Sequence, residues 1–469
     1  MPSVRSEELN VVIQIPSPQL IHKYDRPGPR YTSYPTAPEW TDAFQASQYV
    51  DHLARADRDQ GPLSVYVHLP FCREMCRFCG CNVVATHDRS RADGYLEILE
   101  QEVALVAAKL PNRCQVSQLH WGGGTPTFLD QKQLTRCHEI LARHFQFTSD
   151  VEKAIEIDPA ITTKAQIETL AGLGFNRISM GVQDFDAKVQ EVVGRIQGEK
   201  ETADLVHAAR QNGFKGVNLD LIYGLPYQTP DTWKSTLERI LAIHPDRMAV
   251  FGFAYVPWSK PHQRLLPQEA LPKTEQRVEL FLAAVEAFTK AGYRLIGLDH
   301  FALESDELSK AQREGYLTRN FQGYTVRPAA DTVAFGMSSI SDIGGAYAQN
   351  AHRLKDWGDL VAAGKIPVER GAAVTPDDIL RRFVINRVMC LLRLDLHEVE
   401  EKFGPQARAD IAASLSKGVD ELVQDGLVTF DGEVLRVLPI GQLLVRNVAM
   451  LFDAYLGKDG GKKQFSRTV

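Results

Sequence analysis

Short apolar runs recur through the middle of the chain at 63–69, 118–121, 154–157, 177–182, 217–223, 247–254 and 293–297. Each is bounded by turn-forming or charged residues and reads as a strand. Between them the apolar positions change period. Tyr95, Leu96, Leu99, Val103 and Val106 fall on one helical stripe, and Trp233, Leu237, Ile240 and Leu241 on another. Strands alternating with helices predict an α/β fold with a parallel sheet and helices outside it. Six or seven such units fit a closed or partly open β/α barrel, and a doubly wound open sheet has the same periodicity.

The pattern changes at both ends. Residues 1–60 carry prolines at 16, 18, 27, 29, 35 and 38, which interrupt helix, so this stretch reads as an irregular N-terminal arm. The barrel alternation occupies 61–300. Residues 301–350 are glycine-rich and loop-like, and 301–374 read as substrate-side loops and a connection. Residues 375–469 read as a mostly helical C-terminal domain with a hairpin centred on Asp431-Gly432. Helices around a hairpin suggest a winged-helix arrangement. From Glu421 to Val469, however, six acidic residues balance six basic ones, so there is no electrostatic footprint for nucleic acid. No solenoid-type repeat is visible.

Composition narrows the classes. The 469 residues are 44% apolar and 24% charged with a formal net charge of −6. That is globular composition, unsuited to broad binding of nucleic acid or anionic lipid. Residues 248–258, the longest uncharged apolar stretch, are too few to span a bilayer. The opening residues, with Arg5, Glu7 and Glu8, lack the apolar core of a signal peptide. The expectation is a cytoplasmic protein without membrane association.

Of seven cysteines, Cys72, Cys76, Cys79 and Cys81 lie within ten residues. They follow the first strand directly, on the face where barrel active sites collect. In a reducing compartment such a cluster is a metal site before it is a disulfide knot. Zinc would ordinarily take two separated ligand pairs, and no second C-x2-C pair exists. A redox dithiol needs only Cys76 and Cys79. The spacing C-x3-C-x2-C suits a loop wrapped round a 4Fe–4S cube, with Cys72, Cys76 and Cys79 on three irons and one iron left open. Other chemistry falls at the ends of the following strands: Gly122-Gly123-Gly124-Thr125, whose glycines let backbone approach a ligand closely; Glu156, a carboxylate inside an apolar strand, costly without a partner; Gln183 and Asp184; and Asp220.

C-x3-C-x2-C after a barrel strand, with Phe78 before the third cysteine, resembles the radical S-adenosylmethionine (SAM) superfamily, whose open iron binds SAM. The resemblance sharpens over residues 28–37, 66–72, 118–127, 181–185, 220–226, 299–302, 319–325 and the tail 464–467. Taken in order, these are similar to the oxygen-independent coproporphyrinogen III oxidases. The resemblance implies a partial (β/α)6 barrel of radical SAM type. It also implies conversion of coproporphyrinogen III to protoporphyrinogen IX in haem synthesis. Reduced cluster and SAM give a 5′-deoxyadenosyl radical, which takes hydrogen from each of two propionates. CO2 then leaves, and an unidentified acceptor receives the electron that remains.

Carried onto this chain, the resemblance assigns the iron to Cys72, Cys76 and Cys79. It places Tyr66, Phe78, Gly123, Glu156, Gln183, Arg195 and Asp220 around the SAM on iron, and Gly124, Thr125, Ala254 and Ile340 around a second SAM. Glu156 and Gln322 stand as catalytic candidates, Gln322 near the second SAM or the substrate. Cys81 is the family's fourth cysteine and is not an expected iron ligand. Arg30 and Arg319 are candidates for the substrate carboxylates, which arginine suits best. The resemblance further implies a monomer and an unidentified electron donor. Two positions depart from the family pattern: Ala334 replaces the first glycine of a Gly-x-Gly, and Gly194 precedes Arg195 where asparagine is usual. The competing function is that of haem-binding paralogues, which keep three cluster cysteines but lack Cys81, the arm and the tail.

Overall fold

The computed structural model describes residues 16–326, 331–457 and 465–468. Their contacts form two units, Thr32–Ile379 and a second made of Met1–Tyr31 with Leu380–Val469. The opening residues considered above for a targeting segment, and Gln464 of the tail, lie outside the described residues.

In the larger unit the strands of the main sheet are β1 (Leu63–Leu69), β2 (Gln115–Gly123), β3 (Gln146–Ile157), β4 (Arg177–Gln183), β5 (Gly216–Tyr223), β6 (Arg247–Gly252), β7 (Tyr293–Gly297), β8 (His300–Leu303), β9 (Thr332–Phe335), β10 (Ile340–Ile343), β11 (Ala346–Asn350) and β12 (Val368–Ala373). They make one sheet in the order β12-β11-β10-β9-β1-β2-β3-β4-β5-β6-β8-β7. Strands β1 to β6 are parallel. Helices Ser90–Ala107, Gln131–Ala142, Lys164–Gly172, Glu199–Gln211 and Pro230–Ile243 fall in the connections between them. This is a partial (β/α)6 barrel, open because its edge strands β12 and β7 are not paired to each other.

Three expectations need correction. Residues 301–350 are not loops. They supply β9, which pairs parallel to β1, and the antiparallel β10 and β11; their short runs rich in serine, glycine and alanine hide the strand period. The run at 293–297 is a strand but not a further β/α unit, because β7 pairs antiparallel with β8 and β8 antiparallel with β6. The described part of the first sixty residues, from 16 on, holds two α-helices, Pro18–Tyr24 and Ala46–Ala56. Pro18 stands at the helix start, where its missing N–H costs nothing, and the Ser17 side chain caps it.

The arm falls on both units. Its first part, with Gly28, belongs to the smaller unit: a Cβ on Gly28 would meet Met450 Sδ at 2.8 Å, and the buried Arg446 donates to the carbonyls of Gly28 and Pro29. Its second part belongs to the barrel unit, where the Tyr34 N–H donates to the Tyr347 hydroxyl and Trp40 stacks on Tyr347 at 5.1 Å. The smaller unit is otherwise mostly helical. Its hairpin Val428–Phe430 and Val434–Val437 takes a third strand, Arg393–Asp395. Among the described residues no helix is long and apolar enough to cross a membrane.

The barrel strands bury opposite chemistry on their two faces. Val65, Val67, Leu119, Trp121, Ile155, Ile178, Met180, Leu219, Leu221, Met248 and Val250 are all buried. The alternate positions carry Tyr66, His120, Glu156, Ser179, Asn218 and Asp220, so the inner face is polar. Barrel cores are ordinarily filled with branched apolar side chains; this one encloses a cavity of about 350 Å³. Its floor is an ion network: Arg177 pairs with Glu152 (3.1 Å) and Glu307, and Arg247 pairs with Asp306 (3.0 Å) and Glu307 (2.8 Å). Glu307 thus bridges two arginines. Glu307→Ala should leave them undercompensated and cost about 2 kcal/mol, below the figure for a fully buried pair because the Glu307 side chain is 34% exposed. The thermal or denaturant midpoint reads this; an unchanged midpoint contradicts it.

Candidate active site

The cysteine loop leaves β1 through the short strand Phe71–Cys72, which pairs with Val84–Ala85. Two sets of contacts fix it. The Gly124 N–H donates to the Leu69 carbonyl at 2.9 Å and the Thr125 N–H to the Phe71 carbonyl at 2.8 Å. Further on, the Arg77 N–H donates to the Val193 carbonyl at 2.8 Å. Cys72 Sγ lies 3.5 Å from the Thr125 hydroxyl, and Arg195 Nη1 is 3.7 Å from Cys76 Sγ.

Cys72, Cys76 and Cys79 open onto one cavity of about 160 Å³, which Phe78 also lines. Gly123, Gly124 and Thr125 line it from the β2 end, Gln183 and Arg195 from the β4 side, and Glu156 and Asp220 from the strands. Glu156, Ser179 and Asp220 also line the larger cavity below, so the two share a wall. Several of the sequence-derived residues, Asp184 among them, are not on the upper cavity. Gln322 lines the lower one, at the turn between Thr318–Asn320 and Gly323–Thr325. Tyr66 lies behind His120, with ring centroids 5.8 Å apart. Ala254 lies just past β6, and Ile340 opens β10, opposite Gln349. Arg319 is buried with its guanidinium 5.5 Å from the Tyr324 ring, and Arg30 belongs to the smaller unit.

Glu156 is the centre of the polar wall. His120 Nε2 bonds its Oε1 at 3.0 Å, and the Gly123 N–H bonds its Oε2 at 3.2 Å. Burial alone would raise its pKa; the bonds from His120 and Gly123, with His68 nearby, outweigh this and lower it. The triple glycine has a more specific cause than open access for a ligand. A Cβ on Gly122 would meet the Glu156 carboxylate at 2.8 Å. On Gly123, at φ +113°, it would meet the His68 ring at 2.6 Å, and on Gly124 the Pro70 carbonyl at 2.6 Å. Protein already fills all three spaces.

Neighbouring groups are fixed in turn. The Asn82 carbonyl accepts from His68 Nε2 at 2.8 Å, which leaves Nδ1 to accept the Tyr66 hydroxyl at 3.2 Å. Asp220 accepts from Ser179 at 2.9 Å and Asn218 at 2.7 Å. Its pKa is pushed up to about 6, by burial first and then by the charge of Glu156. Arg195 donates to the Gly181 carbonyl at 2.8 Å and pairs with Asp158 at 3.1 Å. Gln183 closes β4 at φ 68°, a conformation disfavoured for a residue with a Cβ. Burial raises the thiols of Cys72 and Cys76, whereas the hydrogen bond with Cys81 holds Cys79 low. The Cys81 N–H also donates to Cys79 Sγ at 3.4 Å.

Both departures from the family pattern have a physical reading. Gly194 ends helix Ala187–Val193 at φ 68°, a position asparagine also tolerates. Ala334 lies inside β9, where no glycine is required. The turn needs Gly336, at φ +93°, where a Cβ would strike the Tyr95 hydroxyl and the His68 carbonyl. His68, His120, Asp158, Ser179 and Asn218 escaped notice in the sequence. Tyr66 and His68, His120 and Gly122, and Asn218 and Asp220 each stand two apart on strands, so alternation counted across all strands would have found most of them.

The donor set fits an iron–sulfur cluster. Three thiols from one loop face a common cavity with glycine backbone opposite.

Comparison with known proteins agrees. A family profile for the Radical SAM superfamily matches residues 66–240, and one for the HemN C-terminal domain matches 374–444. The chain is 44% identical over 450 residues to oxygen-independent coproporphyrinogen III oxidase of Escherichia coli, covering 96% of this chain and 98% of that one. It is 41% identical over 456 residues to the protein of that name from Synechocystis, covering 97% and 98%. The solved structure of coproporphyrinogen III oxidase (HemN) from Escherichia coli, a radical SAM enzyme, superposes with a TM-score of 0.88 at 44% identity, over 91% of this chain and 98% of that one.

The ionised Asp220 is a cost of the site. A carboxylate held near 6 in the native state, against 3.8 as its ordinary value, binds its proton more tightly folded than unfolded. Its penalty is absent at low pH, grows between about 4 and 6, and is full above that. Asp220→Asn should therefore raise the thermal midpoint of the SAM-free protein at pH 8 and leave it unchanged near pH 4. Equal shifts at both pH values contradict this.

Proposed function

Because the chain belongs to the oxygen-independent coproporphyrinogen III oxidases of the radical SAM superfamily, we propose that the cysteine-walled cavity is where SAM is bound and split. The protein is an oxidoreductase that decarboxylates two propionates of coproporphyrinogen III to vinyl groups, giving protoporphyrinogen IX without molecular oxygen. When bound, the reduced 4Fe–4S cluster supplies the electron that cleaves SAM to methionine and the 5′-deoxyadenosyl radical that takes hydrogen from the propionate. For each propionate one hydrogen atom leaves as 5′-deoxyadenosine, one CO2 is released, and one electron passes to an acceptor.

The observation that carries the site assignment is the shared wall of the two cavities. Glu156 and Asp220 face both the thiol-lined space and the barrel interior. In our reading Cys72, Cys76 and Cys79 hold three irons. Glu156 and Asp220 face the cationic parts of SAM, and Arg195, braced by Asp158, faces its carboxylate. Phe78, Gly123 and Gln183 complete that pocket, with Tyr66 holding His68 and His120 behind it. Gly124, Thr125, Ala254 and Ile340 are assigned to a second SAM, and Gln322 to the lower cavity where the propionate is presented. The electron donor and acceptor are separate partners, and the enzyme acts as a monomer.

Two experiments test this. Anaerobically reconstituted protein with SAM, reductant and coproporphyrinogen III should yield the divinyl product. Stoichiometric haem retention without vinyl product would instead make it a haem-binding paralogue. Changing Cys72, Cys76 or Cys79 to Ser should abolish the iron chromophore, while Ser at Cys114, Cys137 or Cys390 should leave it intact; loss of iron in the latter group contradicts the ligand assignment.

A further inference from the structure

The cysteine loop is held from two sides by different means. Its first half hangs on the barrel through backbone bonds from Gly124 and Thr125. Its second half is held by three side chains from one short segment after β6. Lys260 Nζ donates to the Cys81 carbonyl at 3.0 Å, His262 Nε2 to the Cys79 carbonyl at 2.9 Å, and Gln263 Nε2 to the Phe78 carbonyl at 3.0 Å. Nothing in the sequence reading singled this segment out.

Gln263 differs from the other two. It is 1% exposed, and every polar atom of its amide is used. Its Oε1 accepts the Val256 N–H at 2.6 Å, and its Nε2 gives one hydrogen to Phe78 and the other to the Ala254 carbonyl at 3.2 Å. An N–H on one side and two carbonyls on the other fix which way the amide points. One nitrogen bonded to both carbonyls keeps the two oxygens within about 6 Å of each other. Phe78 packs on the buried cluster of Val189, Val193, Leu225, Phe253 and Leu266, so its ring is supported from behind while its backbone height is set by Gln263. The amide therefore spaces the cysteine loop from the segment that follows β6.

We propose that Gln263 is a positioning residue for the adenosyl end of SAM, which the family resemblance places beside Phe78 on the thiol cavity. It sets the height of the Phe78 backbone over the segment that follows β6, through a peptide carbonyl and not through a thiol. This rests on reading the cavity as the SAM site. Gln263→Glu is nearly isosteric and keeps an acceptor for Val256, but it turns a carboxylate toward two carbonyls. Gln263→Met fills the space and removes the bonds without adding charge.

The test uses the full-length, iron-loaded protein under anaerobic conditions. Iron content is measured first. The affinity for 5′-methylthioadenosine, which carries the adenosyl group without the amino acid, is then measured by calorimetry. Reductive SAM cleavage is followed as kcat and KM. The expected result is unchanged iron, with 5′-methylthioadenosine affinity weakened and the KM for SAM raised, each about tenfold in Gln263→Glu and less in Gln263→Met. kcat should stay within about threefold, the pattern of lost ground-state binding. Affinity and KM within twofold of the unchanged protein in both variants would overturn the proposal. Loss of iron in both would also overturn it, because Gln263 would then support the cluster loop and not the adenosyl wall. SAM cleavage without vinyl product would count against the family reaction and leave the role of Gln263 standing.

Discussion

Holding the carboxylate of Glu156 on the inner wall of a β-barrel, where it lines two cavities and is 44% exposed, is the constraint around which the rest of this protein is built. A charge held there is stabilised by fixed partners, and the interior supplies His120 and the Gly123 amide. The amide can reach only because residues 122 to 124 have no side chains to collide with Glu156, His68 and Pro70. The same glycines let the chain turn back against Leu69 and Phe71 and thereby set where the cysteine loop begins. One electrostatic requirement thus links the strand interior, the glycine turn and the thiols.

The barrel serves this by inverting the usual chemistry of its kind. Apolar side chains point outward beneath the helices, and polar ones line a hollow interior closed below by the network of Arg177, Arg247 and Glu307. Such an interior gives up apolar packing and keeps Asp220 ionised against its environment. In return it holds opposed charges in fixed positions next to the cavity that the thiols face. Functional sites of this kind draw their stability from elsewhere in the fold, here from the buried outer faces of β1 to β6.

Much of this was legible in the sequence, and the omissions have physical causes. The six parallel strands announced themselves because their outward faces need continuous apolar cover. Cys72, Cys76 and Cys79 stood out by spacing alone and Glu156 by the anomaly of a charge in an apolar run, and all four line one cavity. The strands between 300 and 350 were not, because they extend the sheet with short segments such as Thr332–Phe335 and Ile340–Ile343 that carry no clear alternation. Helix Ala46–Ala56 was obscured by the prolines before it. His120 and Asp158 stayed hidden because each acts through a partner distant in sequence, Glu156 and Arg195, and His68 because its alternation with Tyr66 shows only when the strands are compared. Gln263 gave no signal at all, since a buried glutamine is recognised only by what its amide meets in space.

The central claim is that one iron carries no ligand from the polypeptide and binds SAM. The most direct measurement is electron–nuclear double resonance on the reduced, anaerobic protein with SAM labelled at its amino nitrogen and carboxylate oxygen. Hyperfine coupling of both labels to the cluster is the predicted result. Absence of coupling in protein shown to contain reduced cluster and bound SAM would contradict it, as would iron with four side-chain ligands.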